Sequence, residues 1–152
     1  MGALTREAIL GASDLRSRAV DVPEWGGDLV LSEMSGVDRE DWDAAWLRRS
    51  AAERAAAAKE KRPADPNGAA ARNYAARIVV WTARTSDGAD LFPIRRPDGR
   101  IDVELAESAA QALSRKSGVV LDRLARVAED LNGWGARAAE AVSGNSEGTP
   151  PV

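Results

Sequence analysis

The chain contains neither cysteine nor histidine. Those two absences exclude disulfide scaffolds, Cys- or His-ligated zinc, cysteine nucleophiles, Ser-His-acid triads and histidine general bases. Only carboxylate, lysine or tyrosine chemistry is left. An excess of basic charge is also missing. The formal charge is −3 and the sequence pI about 5.1, whereas a protein built to hold a phosphate backbone shows net positive charge or a basic stripe. The pairs Arg48-Arg49 and Arg95-Arg96 are neighboured by acids or a turn and read as solvated surface. No apolar run approaches the ~20 residues of a membrane span. Met1 to Glu7 lacks the apolar stretch of a secretory signal, and Arg6 stands where a myristoylation pattern requires Ser or Thr. The expectation is a cytosolic protein with no nucleic acid, no membrane and no cofactor among its partners.

What is present suits one modest domain. The 152 residues are 44% hydrophobic and 30% charged, the mix of a soluble globular protein. Alanine runs inflate the apolar share while burying little area each, so a heavy reliance on the five tryptophans is expected.

Residues 5–13 read as a short helix, with Thr5 as N-cap and Leu4 placed to staple against Ile9; so short a helix needs a partner. Residues 18–34 change period and read as a β-hairpin. Val20 and Val22 alternate with polar neighbours, Pro23 to Asp28 supplies the turn, and Leu29-Val30-Leu31 resumes an extended run. Asp38 is the expected N-cap of the next helix, with Val37 and Trp42 as staple and Trp42, Ala45, Trp46 and the Arg49 stem on one face. Ser50 to Lys61 favours helix but offers little to bury, so a fraying extension is expected. Pro63-Ala64-Asp65-Pro66-Asn67-Gly68 then makes a linker, and about 50–70 forms a flexible Ala-rich and Pro/Gly segment. Residues 69–85 read as one helix with Tyr74, Ile78 and Trp81 in line, although Val79 to Thr82 alone would suit a strand. Turns follow at Ser86-Asp87-Gly88 and Pro97-Asp98-Gly99, with a brief extended piece at Leu91-Phe92. Asp102 caps a helix to about Leu113 with Leu105, Ala109 and Leu113 inward. Ser117 caps the clearest helix, with Val120, Leu124, Val127 and Leu131 inward and Asn132-Gly133 as its stop. Residues 136–143 add a turn or two at most, and Ser143 onward has the composition of a disordered tail. The fold class expected is α+β: a small N-terminal β-hairpin or sheet packed with several amphipathic helices. One globular domain is placed at 1–135 and a flexible polar tail at 136–152.

No catalytic constellation emerges, and the protein is read as a non-enzyme. Ser114-Arg115-Lys116 and the acids Asp38, Glu40, Asp41 and Asp43 invite a serine–lysine pair or a metal cluster. Acids in the first turn of a helix, however, are accounted for by the macrodipole. Asp65-Pro66-Asn67-Gly68, Asp87-Gly88 and Asp98-Gly99 lack the alternating ligands and closing glutamate of a calcium loop. No glycine-rich phosphate loop is present, and Trp25-Gly26-Gly27 has no Rossmann context. Tryptophan carries the functional signal instead, because its ring offers large contact area at small entropy cost. Trp42, Trp46 and Trp81 lie on expected buried faces and are read as core before binding, with Trp46 also kept as a binding candidate. Trp25, at a hairpin tip, and Trp134, between glycines past a helix end, either fold back or wait for another protein. The candidate partner-binding residues are Trp25, Trp46, Leu91, Phe92 and Trp134.

An ordered set of features also resembles a known family. Leu4-Thr5-Arg6-Glu7-Ala8-Ile9-Leu10, then Val20-Asp21-Val22-Pro23-Glu24-Trp25-Gly26-Gly27 before a strand, then a helix after Met34-Ser35-Gly36, make the front half. Ala76-Arg77-Ile78-Val79-Val80, Ser86-Asp87-Gly88 with Leu91-Phe92, and Ser117 to Leu124 with Val127-Ala128 and Leu131-Asn132-Gly133 make the back half. Together these resemble the tail assembly chaperones of long-tailed, siphovirus-type bacteriophages and prophages, over nearly the whole chain and with no single diagnostic motif. Ser50–Ala70 is longer and blander than the family pattern, and Pro93–Arg100 looks like an insertion. The resemblance implies a small α+β protein of the bacterial host cytoplasm that binds the tape measure protein and helps bring major tail tube subunits onto it. It implies departure before the virion is complete and, in many members, a frameshifted longer form; self-association is a further expectation. The alternative is a structural tail completion or head–tail connector protein retained in the particle. An acidic mimic of nucleic acid fits less well, because the charges alternate in sign along the helices.

Overall fold

The computed structural model describes residues 2–134; the polar tail expected at 136–152, and the turn or two of helix expected at 136–143, lie outside the described residues. The fold is α+β. Its first helix, α1 (Arg6–Gly11), begins at Thr5, whose hydroxyl accepts from the Ala8 N–H at 3.1 Å. A hairpin follows, β1 (Ser17–Val22) and β2 (Gly27–Ser32), joined by a 3-10 turn over Pro23–Trp25. Pro23 sits where no ladder N–H is needed. Only Gly26 of the glycine pair takes a positive φ, at 81°, where a side chain would be strained. A short third strand, β3 (Ala83–Arg84), pairs antiparallel with β2, giving the order β1-β2-β3.

The long helix α2 (Gly36–Glu60) starts three residues before the expected one. Ser35 caps it through the Asp38 N–H at 3.2 Å. Asp38 is therefore no cap: its carboxylate is buried and taken by arginines from later in the chain. Nor does α2 fray after Arg49. It continues to Glu60, turns through Lys61 in the left-handed region (φ 54°), and packs against α3 (Pro66–Ala71). Alanine makes this possible: Ala57 and Ala70 are both buried, and small side chains let two helices approach closely. Glu53 ties the connection by accepting from Arg62 and from the Asp65 N–H. Asp65 caps α3 through the Gly68 N–H at 3.0 Å, and a Cβ at Gly68 would lie 2.1 Å from the Asp65 carboxylate. The expected linker is thus half turn and half helix.

The single helix expected over 69–85 is two. Asn73, at φ 58°, breaks it and starts α4 (Tyr74–Thr82). Every residue of α4 from Ala76 to Thr82 is buried, so this helix is the centre of the molecule. It packs on α5 (Val103–Leu113), on α6 (Gly118–Leu131) and on the inner sheet face of Val22, Leu29 and Leu31. Trp42 of α2 meets Trp81 edge-on at 5.3 Å and Tyr74 at 6.1 Å, geometries that favour aromatic pairs. The caps at Asp102 and Ser117 stand as expected. The inward line of α5 stands in part: Ala109 and Leu113 are half-buried against the core, but Leu105 is exposed, and the fully buried positions are Ala106 and Ala110, one residue on, which bring α4 and α5 together through alanines. Leu91-Phe92 forms a bend rather than an extended piece; isolated bridges flank it, Asp90 to Arg84 before and Arg95 to Ile101 after.

Candidate partner-binding surface

Every residue from Gly2 to Ala19 is exposed. Within that arm Leu4, Ile9, Leu10 and Leu15 are 77, 56, 72 and 51% accessible. The expected staple between Leu4 and Ile9 is therefore left open to solvent. A six-residue helix draws little stability from its own hydrogen bonds, and most protein helices depend on a packed face. Here α1 has no buried residue at all. Sequence reasoning noted that this helix needs a partner, yet left Leu4, Ile9, Leu10 and Leu15 out of the candidate set. The signal available was four large aliphatics clustered in and beside a helix too short to stand on its own.

Beside the arm lies an open groove of about 720 Å³, between Ser13 and Leu15 on one side, Val30 and Ser32 of the outer sheet face, and Thr85 to Asp90 on the other. Its floor is an ion-pair network. Arg95 donates to Asp38 at 2.8 and 3.0 Å and to Asp90 at 2.8 and 3.2 Å. Arg84 lies 3.1 Å from Asp90 and 4.0 Å from Asp38. Burial pushes the Asp90 carboxyl up, but the hydrogen bond from Arg95 and the nearby Arg84 outweigh it and hold the group below its ordinary value. The Arg95 guanidinium is pushed further up by the same two carboxylates. Next to it, Arg100 binds Asp41 at 2.7 Å, and the Ile101 N–H donates to the same carboxylate at 3.3 Å. Burial opposes ionisation of Asp41, and these hydrogen bonds reverse the balance, so its carboxyl is also lowered. The network fastens the 85–101 loop to the first turns of α2. Its paired carboxylates and guanidinium groups balance in charge, and those of Asp38, Arg84, Asp90 and Arg95 line the groove.

The residues singled out from the sequence fall in separate places. Trp25 stands at the hairpin tip, 38% accessible. Glu24 beside it takes both guanidinium nitrogens of Arg123 at 2.9 Å, which ties the tip to α6 and brings its carboxyl down to about 2. Leu91 is exposed and Phe92 half-buried against the core. Trp46 is half-buried, with the Arg49 guanidinium 6.0 Å from its ring. Trp134 folds back: it stacks on Trp42 at 5.9 Å, and the Arg39 guanidinium lies 4.4 Å above its ring. Arg39 also donates to the carbonyl of Asn132, and the Asn132 amide accepts from the Met34 N–H at 2.8 Å. Of the five, Trp25 and Leu91 present the most accessible apolar surface.

Among the described residues no grouping of His, Cys, Asp or Glu is placed to hold a metal ion, and no helix is long and apolar enough to cross a membrane. No family model matches this chain, and comparisons with curated proteins and with solved structures find no match either.

Proposed function

We propose that the chain is a tail assembly chaperone of a long-tailed bacteriophage or prophage, acting in the host cytoplasm on the tape measure protein. One observation carries the reading: the arm from Gly2 to Ala19 keeps four large aliphatic side chains in water and has no core of its own to cover them. A contiguous exposed apolar segment on a small protein marks a protein-binding site. A tape measure protein is a long helical chain that exposes apolar stripes until the tube encloses it. The arm lays Leu4, Ile9 and Leu10 against such a stripe in the manner of a helix packed on a helix, and releases it at modest cost because the contact is short. Trp25 and Leu91 offer further apolar contacts, and the major tail tube protein is the second partner in this reading.

Co-expression with the adjacent tape measure protein tests it. The native chain keeps that protein soluble and is recovered with it, while Leu4→Ser/Ile9→Ser/Leu10→Ser folds normally and recovers little. Equal solubility with and without the chain overturns the proposal. Stoichiometric presence of the chain in finished particles points instead to a structural tail component.

A further inference from the structure

The sheet has one open edge. On the far side of β3 the Leu91 N–H binds the Ala83 carbonyl at 3.0 Å, and Asp90 bridges to Arg84, so that edge is met by the chain's own loop. β1 has no such neighbour among the described residues. Its register on β2 runs from Ser17↔Ser32 to Val22↔Gly27. Just outside it, the Glu33 N–H binds the Arg16 carbonyl at 2.8 Å. Hydrogen-bonded and open pairs alternate along an antiparallel ladder, so Arg18, Val20 and Val22 turn their backbone groups to β2. Ser17, Ala19 and Asp21 turn theirs outward, where no described residue binds them. The strand is unbroken by proline or bulge, and such an edge is a template for another strand. Ser13 and Leu15 leave it clear, since both line the groove beside Thr85 to Asp90.

We infer that β1 pairs antiparallel with β1 of a second copy about a two-fold axis at Ala19, joining two three-stranded sheets into one. Symmetry and side-chain direction select the register. A two-fold normal to the sheet pairs only residues of the same face, which leaves four alignments near the middle of the strand. One sets Arg18 against Arg18 of the copy and another sets Asp21 against Asp21, and like charges directly opposite repel. Centring on Val20 uses only Ala19 with Asp21 of the copy, twice, as outward-facing pairs. Centring on Ala19 uses Ser17 with Asp21 of the copy, Ala19 with Ala19, and Asp21 with Ser17, each able to exchange both N–H···O bonds. It also sets the Ser17 hydroxyl beside the opposing Asp21 carboxylate and two methyl groups on the axis, where nothing larger is needed. An isologous contact of this kind closes at two copies and leaves no edge for a third.

The full chain contains no cysteine, so Ala19→Cys places a single thiol on the axis. A hydrogen-bonded pair sets Cα atoms about 5.5 Å apart, within disulfide reach. Sedimentation of the native chain over rising concentration is expected to show a monomer–dimer equilibrium. Ala19→Glu, at an exposed position, is expected to abolish the dimer with an unchanged circular dichroism spectrum. Ala19→Cys is expected to cross-link under mild oxidation faster than Val20→Cys. A native chain that stays monomeric throughout, a dimer that survives Ala19→Glu, or faster cross-linking at Val20→Cys overturns the inference. The arm variants described above leave β1 intact, so a failure of tape measure binding and a failure of dimerisation are read separately.

Discussion

Two helices of this molecule carry similar aliphatic content and opposite fates. In α4 the side chains from Ala76 to Thr82 are all buried, between α5, α6 and the sheet. In α1 none is. Local chemistry does not separate them: α1 has a bonded Thr5 cap, whereas Asn73 at the start of α4 makes no side-chain cap bond. Capping and propensity define where a helix begins, but tertiary contact decides whether its apolar face is core. The helix with the better cap is the one left to find its contact elsewhere.

The sharpest way to break this comparison is to cut into α4. Trp81→Ala removes a fully buried ring that Trp42 meets edge-on, and a loss of about 3–5 kcal/mol is expected in denaturant unfolding. Glu107→Ala should come next. Arg77 is buried on α4, with its guanidinium 2.6 and 3.2 Å from the Glu107 carboxylate and 3.1 Å from the Ala70 carbonyl. Leaving that cation unpaired should cost about 3 kcal/mol, read from the same unfolding midpoint. By contrast, Leu4→Ser/Ile9→Ser/Leu10→Ser should move global stability by no more than about 0.5 kcal/mol; a larger loss would mean that the arm serves the fold after all. Thr5→Ala should be smaller still in the global measurement. It weakens α1 alone, by about 1 kcal/mol of local helix stability, visible as faster amide exchange at Ala8 and Ile9 and nowhere in the core.

Acid sharpens the contrast between hairpin tip and core. The Glu24 carboxyl, ordinarily near 4.5, is held at about 2 by Arg123 and its own backbone N–H. Because the folded value is the lower one, the bridge contributes fully above pH 4.5 and is lost as pH falls through about 2. A carboxyl titration followed by NMR should show that depressed midpoint, and Arg123→Ala should move it back toward the ordinary range, leaving the smaller effect of the backbone N–H.

Features set by short-range chemistry were legible in the sequence. The hairpin, the caps at Thr5, Asp102 and Ser117, and the stop at Asn132-Gly133 follow from residues within a few positions of one another. The misreadings share a different cause. Asp38 looks like a cap because its true partner, Arg95, is 57 positions away. Ser50 to Ala70 looks inert because alanine carries no sign of the close packing of Ala57 and Ala70 that it permits. The break at Asn73 bears neither glycine nor proline, and the phase of α5 depends on which face α4 offers. As for the candidate surface, the exposure of Trp25 could be read from its place at a hairpin tip, whereas Trp134 was visible only as a residue with two possible fates, of which the structure shows the folded-back one. The arm's large aliphatics were visible as residues, but that no described residue covers them is a fact about the fold and not about any short stretch of sequence.

The aromatic cluster gives the molecule two internal reporters. Trp42 with Trp81 at 5.3 Å, and with Trp134 stacked at 5.9 Å, are close enough for their excited states to couple, so near-ultraviolet dichroism follows the docking of α2 on α4 and on the end of α6. Trp25 stands apart at the hairpin tip, and with Trp46 replaced by Phe its emission colour is the one that answers to solvent at that tip. Assembly of the interior and arrival of a visitor can be timed in one sample, without a label.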